Sequence, residues 1–126
     1  MAEYRFLVVE DSPTMRQLIT FSLKRIRNST IVEADNGVEA MKKLSEEKFS
    51  LILADINMPL MDGLKLLSVV RKDPNHSTVP YIIISTEGAE ADKERGMKLG
   101  ASAYLPKPIQ TNDLLKIVKE LLKIQD

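Results

Sequence analysis

Residues Leu51-Ile52-Leu53-Ala54-Asp55-Ile56-Asn57-Met58-Pro59 carry four apolar side chains straight into a carboxylate and then into a proline-bearing turn. A continuous apolar run, as opposed to an alternating one, suits a strand covered on both faces. An ionised carboxylate at the end of such a strand needs a cation or donors nearby, because burying it alone is too costly. Asp55 is therefore the first candidate functional residue.

Four segments to either side share this character: Arg5-Phe6-Leu7-Val8-Val9, Ile31-Val32, Tyr81-Ile82-Ile83-Ile84 and Ala103-Tyr104-Leu105. Between them lie stretches with apolar residues at helical spacing. These are Met15, Leu18, Ile19, Leu23 and Ile26; Val38, Met41 and Leu44; Leu64, Leu67 and Val70; Met97 and Leu99; and Leu114, Leu115, Val118, Leu121 and Leu122. The punctuation agrees. Ser12 reads as an N-cap before Pro13, Asn36-Gly37 as a turn into the second helix, Asp62 as a cap for the third and Thr111 as a cap for the last. Strand and helix alternate, which predicts a doubly wound α/β fold with a five-stranded parallel sheet and five helices on its two faces. Ligands in such sheets bind outside the carboxyl ends of the strands, where the strand order reverses.

A chain of 126 residues, 44% apolar and 29% charged, predicts one domain over residues 1–126. Lys+Arg 18 balances Asp+Glu 18, so no net basic field draws nucleic acid, and no direct nucleic-acid partner is expected. Cys 0 excludes disulfides, thiolate metal sites and cysteine nucleophiles, and it fits a reducing cytoplasm. The start, Met1-Ala2-Glu3-Tyr4-Arg5, has no secretory pattern, and no apolar run approaches the ~20 residues of a membrane span. A cytoplasmic monomer without membrane insertion is expected.

The first strand ends in Glu10-Asp11 and the third in Asp55, with Asn57 two residues on. If both strands are central, three carboxylates converge. Two such charges about 4 Å apart repel by about 4 kcal/mol at an effective dielectric of about 20, so a cation must offset them. An all-oxygen, incomplete ligand set suits Mg²⁺, with Mn²⁺ as the second choice. Taken alone, Glu10-Asp11 is equally well read as helix capping and a favourable dipole interaction. The fourth strand ends in Ile84-Ser85-Thr86, offering a hydroxyl, and the fifth is followed by Lys107-Pro108. A hydroxyl, an ammonium and a divalent cation around a carboxylate could stabilise a phosphoryl group in transfer, with Asp55 as nucleophile.

These residues resemble the receiver domain of two-component response regulators, in its single-domain, chemotaxis CheY-like form. The likeness runs from about Arg5 to Leu122. It rests on Val8-Val9-Glu10-Asp11-Ser12, Ala34 to Ala40, Asp55 to Gly63, Ile84-Ser85 and Gly100 to Pro108. The resemblance implies the flavodoxin-like strand order 2-1-3-4-5 and a cis Lys107-Pro108 peptide. It implies that Asp55 takes a phosphoryl group from a sensor histidine kinase. Mg²⁺ would be held by Asp11, Asp55 and the backbone carbonyl of Asn57, with Glu10 acting through water. Ser85 and Lys107 would contact the phosphoryl oxygens, and Tyr104 would move when Ser85 is drawn in. Glu10 stands where many members have aspartate, and Ser85 where threonine is frequent.

Output is expected through protein binding, since the chain ends directly after its last helix. The receiving surface would be the fourth helix, the fifth strand and the fifth helix, facing a motor-switch protein or another effector. The fourth helical stretch, Glu87 to Leu99, contains Gly88 and Gly96 and few apolar anchors, so it should be the least stable helix. Lys116, Lys119 and Lys123 would form a basic face beside Tyr104, while His76 reads as a loop residue. The expected protein is not a turnover enzyme, although it would catalyse its own phosphorylation and dephosphorylation. The rivals are a non-phosphorylated connector domain, an aspartate-nucleophile phosphatase of the haloacid-dehalogenase type, which lacks its second acid here because position 57 is Asn57, and a flavin carrier, which Glu10-Asp11 opposes.

Overall fold

The computed structural model describes residues 3–86 and 89–124. The elements alternate as β1 (Tyr4–Val9), α1 (Pro13–Leu23), β2 (Ser29–Ala34), α2 (Gly37–Glu46), β3 (Leu51–Asp55), α3 (Gly63–Lys72), β4 (Tyr81–Thr86), α4 (Glu90–Lys98), β5 (Ala103–Lys107) and α5 (Thr111–Leu122). All neighbouring strands pair in parallel, in the order β2-β1-β3-β4-β5. The chain steps from β1 to β2 on one side and returns to β3 on the other, which puts the reversal between β1 and β3.

Every residue of β3 is buried, as its unbroken apolar run predicts. Successive side chains of a strand leave opposite faces, and the core divides accordingly. Leu7, Val9, Ile52, Ala54, Tyr81 and Ile83 pack with Ala40 and Leu44 of α2 and Leu66, Leu67 and Val70 of α3. Phe6, Val8, Leu51, Leu53, Ile82 and Ile84 pack with Ile19 and Leu23 of α1 and Leu114, Leu115 and Val118 of α5.

The caps explain where helices begin. Ser12, Asn36 and Asp62 accept from the amides of Met15, Glu39 and Lys65. Thr111 does not cap α5: the cap position is Gln110, without a side-chain bond, and Thr111 is the first helical residue. Its hydroxyl instead lies 2.9 Å from that of Ser22, joining α5 to α1. Helix α4 starts at Glu90 behind an uncapped Ala89, and of its described residues only Gly96 is buried. Glu87 and Gly88, part of the stretch expected to be helical, lie outside the described residues. Gly96 has a packing role too, since a β-carbon there would lie 2.1 Å from Cδ1 of Ile83. His76 is in a loop as expected, yet it is buried: Nε2 accepts from the Phe49 amide at 3.3 Å, and Nδ1 meets Asp73 at 2.9 Å. Among the described residues, no helix is long and apolar enough to cross a membrane.

Candidate functional site

The ends of β1, β3, β4 and β5 bring Glu10, Asp11, Asp55, Ser85 and Lys107 to the carboxyl edge of the sheet. One oxygen from each of Glu10, Asp11 and Asp55 lies within 4.8 Å of the others, at the reversal between β1 and β3. Asp55, the last residue of β3, is 1% exposed. The amide of Asn57 donates to its Oδ1 at 2.9 Å, and the Lys107 ammonium donates to its Oδ2. Parallel pairing sets Lys107 beside Thr86, one strand out from Asp55, so its long side chain spans the end of β4. The Lys107–Pro108 peptide is cis.

Glu10 is fully buried, unlike exposed Asp11. Its Oε1 accepts from the Ser12 amide at 3.1 Å, while its Oε2 lies 3.9 Å from the Lys107 ammonium, too far to bond. That Oε2 and the hydroxyl of Ser85 are buried without hydrogen-bond partners. Buried polar groups are normally paired, so an unmet carboxylate oxygen inside an acidic cluster marks a place built for something else. Three carboxylates and no nitrogen or sulfur ligand fit a hard divalent cation.

Burial pushes the Glu10 carboxyl up to about 8, helped by hydrogen bonding to Asp55 and the Asp55 charge and opposed by the Ser12 amide and Lys107. When protonated, Glu10 can share its hydrogen with Asp55; when ionised, its Oε2 is left without a partner. Burial works against the Lys107 ammonium, yet the hydrogen bond and charge of Asp55, with Glu10 and Asp11 behind them, hold its pKa above the ordinary lysine value. The cluster therefore runs short of positive charge.

Two glycines admit this geometry. A β-carbon on Gly63 would lie 2.5 Å from the carbonyl oxygen of Asp55, and one on Gly37 2.6 Å from that of Met61. Buried Tyr81 donates to the Gly63 carbonyl at 2.7 Å, pinning the start of α3 against the sheet. Beside the cluster, an open groove of about 630 Å³ is lined by Asp11, Asn57, Asp62, Lys65, Asp92 and Arg95.

Tyr104 is half-buried on β5, and its hydroxyl donates to the Thr86 carbonyl at 3.2 Å. The ammonium of Lys93, on α4, sits 5.4 Å above its ring. Neither Thr86 nor Lys93 was singled out by the sequence; a carbonyl acceptor leaves no side-chain signature, and one lysine on a charged helix has no distinguishing spacing. The groove by Tyr104 is lined by Lys116 together with Asp113 and Glu120, so it carries charges of both signs. Lys123 caps the end of α5 in a left-handed conformation, φ 57°.

The sequence profile of the response regulator receiver domain matches residues 6–119. The chain is 37% identical over 121 residues to the chemotaxis protein CheY1 of Helicobacter pylori, covering 95% of this chain and 94% of that one. The structure of chemotaxis protein CheY4 from Vibrio cholerae superposes with a TM-score of 0.89 at 30% identity, over 96% of this chain and all of that one. The phosphorylated cyanobacterial phytochrome response regulator RcpA superposes with a TM-score of 0.81 at 29% identity, over 95% and 91% of the two chains. With the profile spanning nearly all of its length, the chain belongs to the response regulator receiver domains of two-component signalling.

Proposed function

We propose that Asp55 is the phosphoacceptor of this domain and that the group it takes up switches the surface formed by α4, β5 and α5. The observation that carries this reading is the meeting of three carboxylates with Lys107 at the strand ends. A carboxylate oxygen of Asp55 attacks phosphorus, a P–O bond forms, and the donor's bond to phosphorus breaks, giving an acyl phosphate. With a sensor histidine kinase as donor, the leaving group is the histidine ring nitrogen. The Lys107 ammonium, already on Oδ2, follows the developing negative charge, and the unpartnered Ser85 hydroxyl supplies a further donor.

Asp11, Asp55 and the Asn57 carbonyl would hold Mg²⁺, with Glu10 acting through water. When bound, the cation offsets the clustered charge and stabilises phosphoryl oxygens. Mn²⁺ meets the same oxygen preference. The downstream partner is a protein effector. The relatives' names point to chemotaxis, and so to a motor-switch protein. RcpA, solved in its phosphorylated form, supports the phosphoacceptor reading. A haloacid-dehalogenase-type phosphatase is disfavoured because the position of its second acid holds Asn57, whose amide serves Asp55.

Incubation with acetyl phosphate and Mg²⁺, followed by intact-mass spectrometry, tests the assignment. One acid-labile phosphoryl group is expected on the wild type and none on Asp55→Asn. Labelling of both proteins would move the acceptor elsewhere, and labelling of neither would leave a connector domain.

A further inference from the structure

Arg16 is the fourth residue of α1, and only 20% of its side chain is exposed. Its Nε donates to Oε1 of Glu33 at 3.0 Å. Its Nη1 donates to the carbonyl of Glu10 at 2.9 Å and also to Asp35. Glu33 belongs to β2 and Asp35 follows that strand, so one guanidinium ties the end of β2 to Glu10, the residue that follows β1. A planar fork of donors can serve three directions at once, which a lysine ammonium on a flexible stem cannot hold in fixed geometry.

Glu10 is held at three points. Its amide donates to the Ala34 carbonyl at 3.1 Å, its Oε1 takes the Ser12 amide at 3.1 Å, and its carbonyl takes Arg16. That carbonyl is one edge of the planar Glu10–Asp11 peptide, and the orientation of the plane sets where the Asp11 side chain departs. No hydrogen bond holds the Asp11 carboxylate itself among the described residues. The Arg16 bond is therefore the nearest constraint on a carboxylate that must meet Asp55.

We propose that Arg16 is a positioning residue of the cation site: braced by Glu33 and Asp35, it holds the Glu10 carbonyl and so preorganises Asp11 beside Asp55. The inference rests on the reading of this acidic cluster as a Mg²⁺ site. Outer residues that orient ligands typically change metal affinity by about 10- to 100-fold when replaced. The sign is diagnostic. Deleting a positive charge near a cation site strengthens binding by electrostatics alone, so weaker binding reports lost geometry.

Isothermal titration of Mg²⁺ into the wild type, Arg16→Ala, Arg16→Lys and Asp11→Ala, each shown to be folded by circular dichroism, tests the proposal. The Mg²⁺ Kd should rise about 10-fold in both Arg16 variants. The lysine variant keeps the charge and most of the stem, and it decides the matter if the alanine variant does not fold. An arginine with a merely structural role would lower the metal-free melting temperature and leave the Kd of the folded protein unchanged. Wild-type or tighter Mg²⁺ binding by the Arg16 variants, with Asp11→Ala impaired, overturns the positioning role alone. No binding by the wild type, or undiminished binding by Asp11→Ala, overturns the cation-site reading and this inference with it.

Discussion

The Lys107 ammonium reaches across the end of β4 to donate to Oδ2 of Asp55. Asp55 is 1% exposed while a quarter of the Lys107 side chain meets solvent, so the pair is anchored from the carboxylate's side. Removing the lysine strands a buried charge among like charges. Lys107→Ala should therefore lower metal-free stability by about 2 kcal/mol, less than a fully buried pair because the lysine is partly solvated. Mg²⁺ should stabilise this variant more than the wild type, since the cation takes over the lost compensation. Urea melts with and without Mg²⁺ check both; equal Mg²⁺ stabilisation would show that Lys107 and the cation do not answer the same charge.

Glu10 gives a pH dependence with a definite sign. Its pKa rises on folding from 4.5 to about 8, so the folded state binds the proton more tightly. Its contribution to metal-free stability is fully present below about 4.5 and is lost as pH rises through about 8. The slope stays below about 1.4 kcal/mol per pH unit, the limit for one proton. Melts in chelator from pH 5 to pH 8 should decline for the wild type and flatten for Glu10→Gln. Mg²⁺ competes with that proton, so its affinity should rise over the same range. A metal-free wild-type profile as flat as that of the variant would contradict the raised pKa.

Much of this was legible in the sequence because it is written in side chains of one kind at fixed spacing. Five apolar runs give the strands, and acids, a hydroxyl and a lysine at their ends give the site. The strand order was not legible from periodicity: the α/β alternation fixes parallel pairing but not which strand flanks which, and the order came from resemblance. The parts that stayed hidden depend on backbone groups or on who is buried. His76 reads as a loop residue and is one, but its burial left no mark in the sequence: the Phe49 amide and Asp73 satisfy both ring nitrogens. Thr111 resembled a cap because caps favour threonine, but its hydroxyl lies against Ser22. Arg16 is not among the residues the sequence singles out, because a carbonyl acceptor leaves no side-chain signature.

Gly63 should tolerate no side chain. A β-carbon there meets the backbone of Asp55, with the carbonyl oxygen at 2.5 Å, and backbone at a strand end cannot rotate away. Gly63→Ala should cost about 2 kcal/mol and slow labelling by acetyl phosphate, because the strand end that yields carries the acceptor. Gly96→Ala is the control: its obstruction is Cδ1 of Ile83, a side-chain end, so labelling should stay at the wild-type rate. Equal labelling by both variants would show that the Gly63 contact does not govern the site.

On the proposed reading, a link from Asp55 to the outer surface would run through Ser85 and Thr86, which are consecutive. The Ser85 hydroxyl has no partner, so a phosphoryl oxygen on Asp55 gains a donor at little cost to existing bonds. Any shift of Ser85 carries the Thr86 carbonyl, the acceptor for Tyr104, and the Tyr104 ring in turn lies under Lys93 of α4. These ties are weak: an exposed neutral hydrogen bond contributes about 1 kcal/mol and an exposed cation–π contact about 0.5–1 kcal/mol. One charge-assisted hydrogen bond to a phosphoryl oxygen is of similar size, so a single modification can shift the population. Tyr104→Phe removes the hydroxyl tie without emptying the site. Unphosphorylated Tyr104→Phe should then show Lys93 and Thr86 amide NMR shifts displaced toward their phosphorylated wild-type positions, with acetyl phosphate labelling unchanged. Phosphorylation shifts confined to Asp55, Ser85 and Lys107, with Tyr104→Phe matching the unphosphorylated wild type at Lys93, would break this route and leave partners to read the phosphorylated strand ends directly.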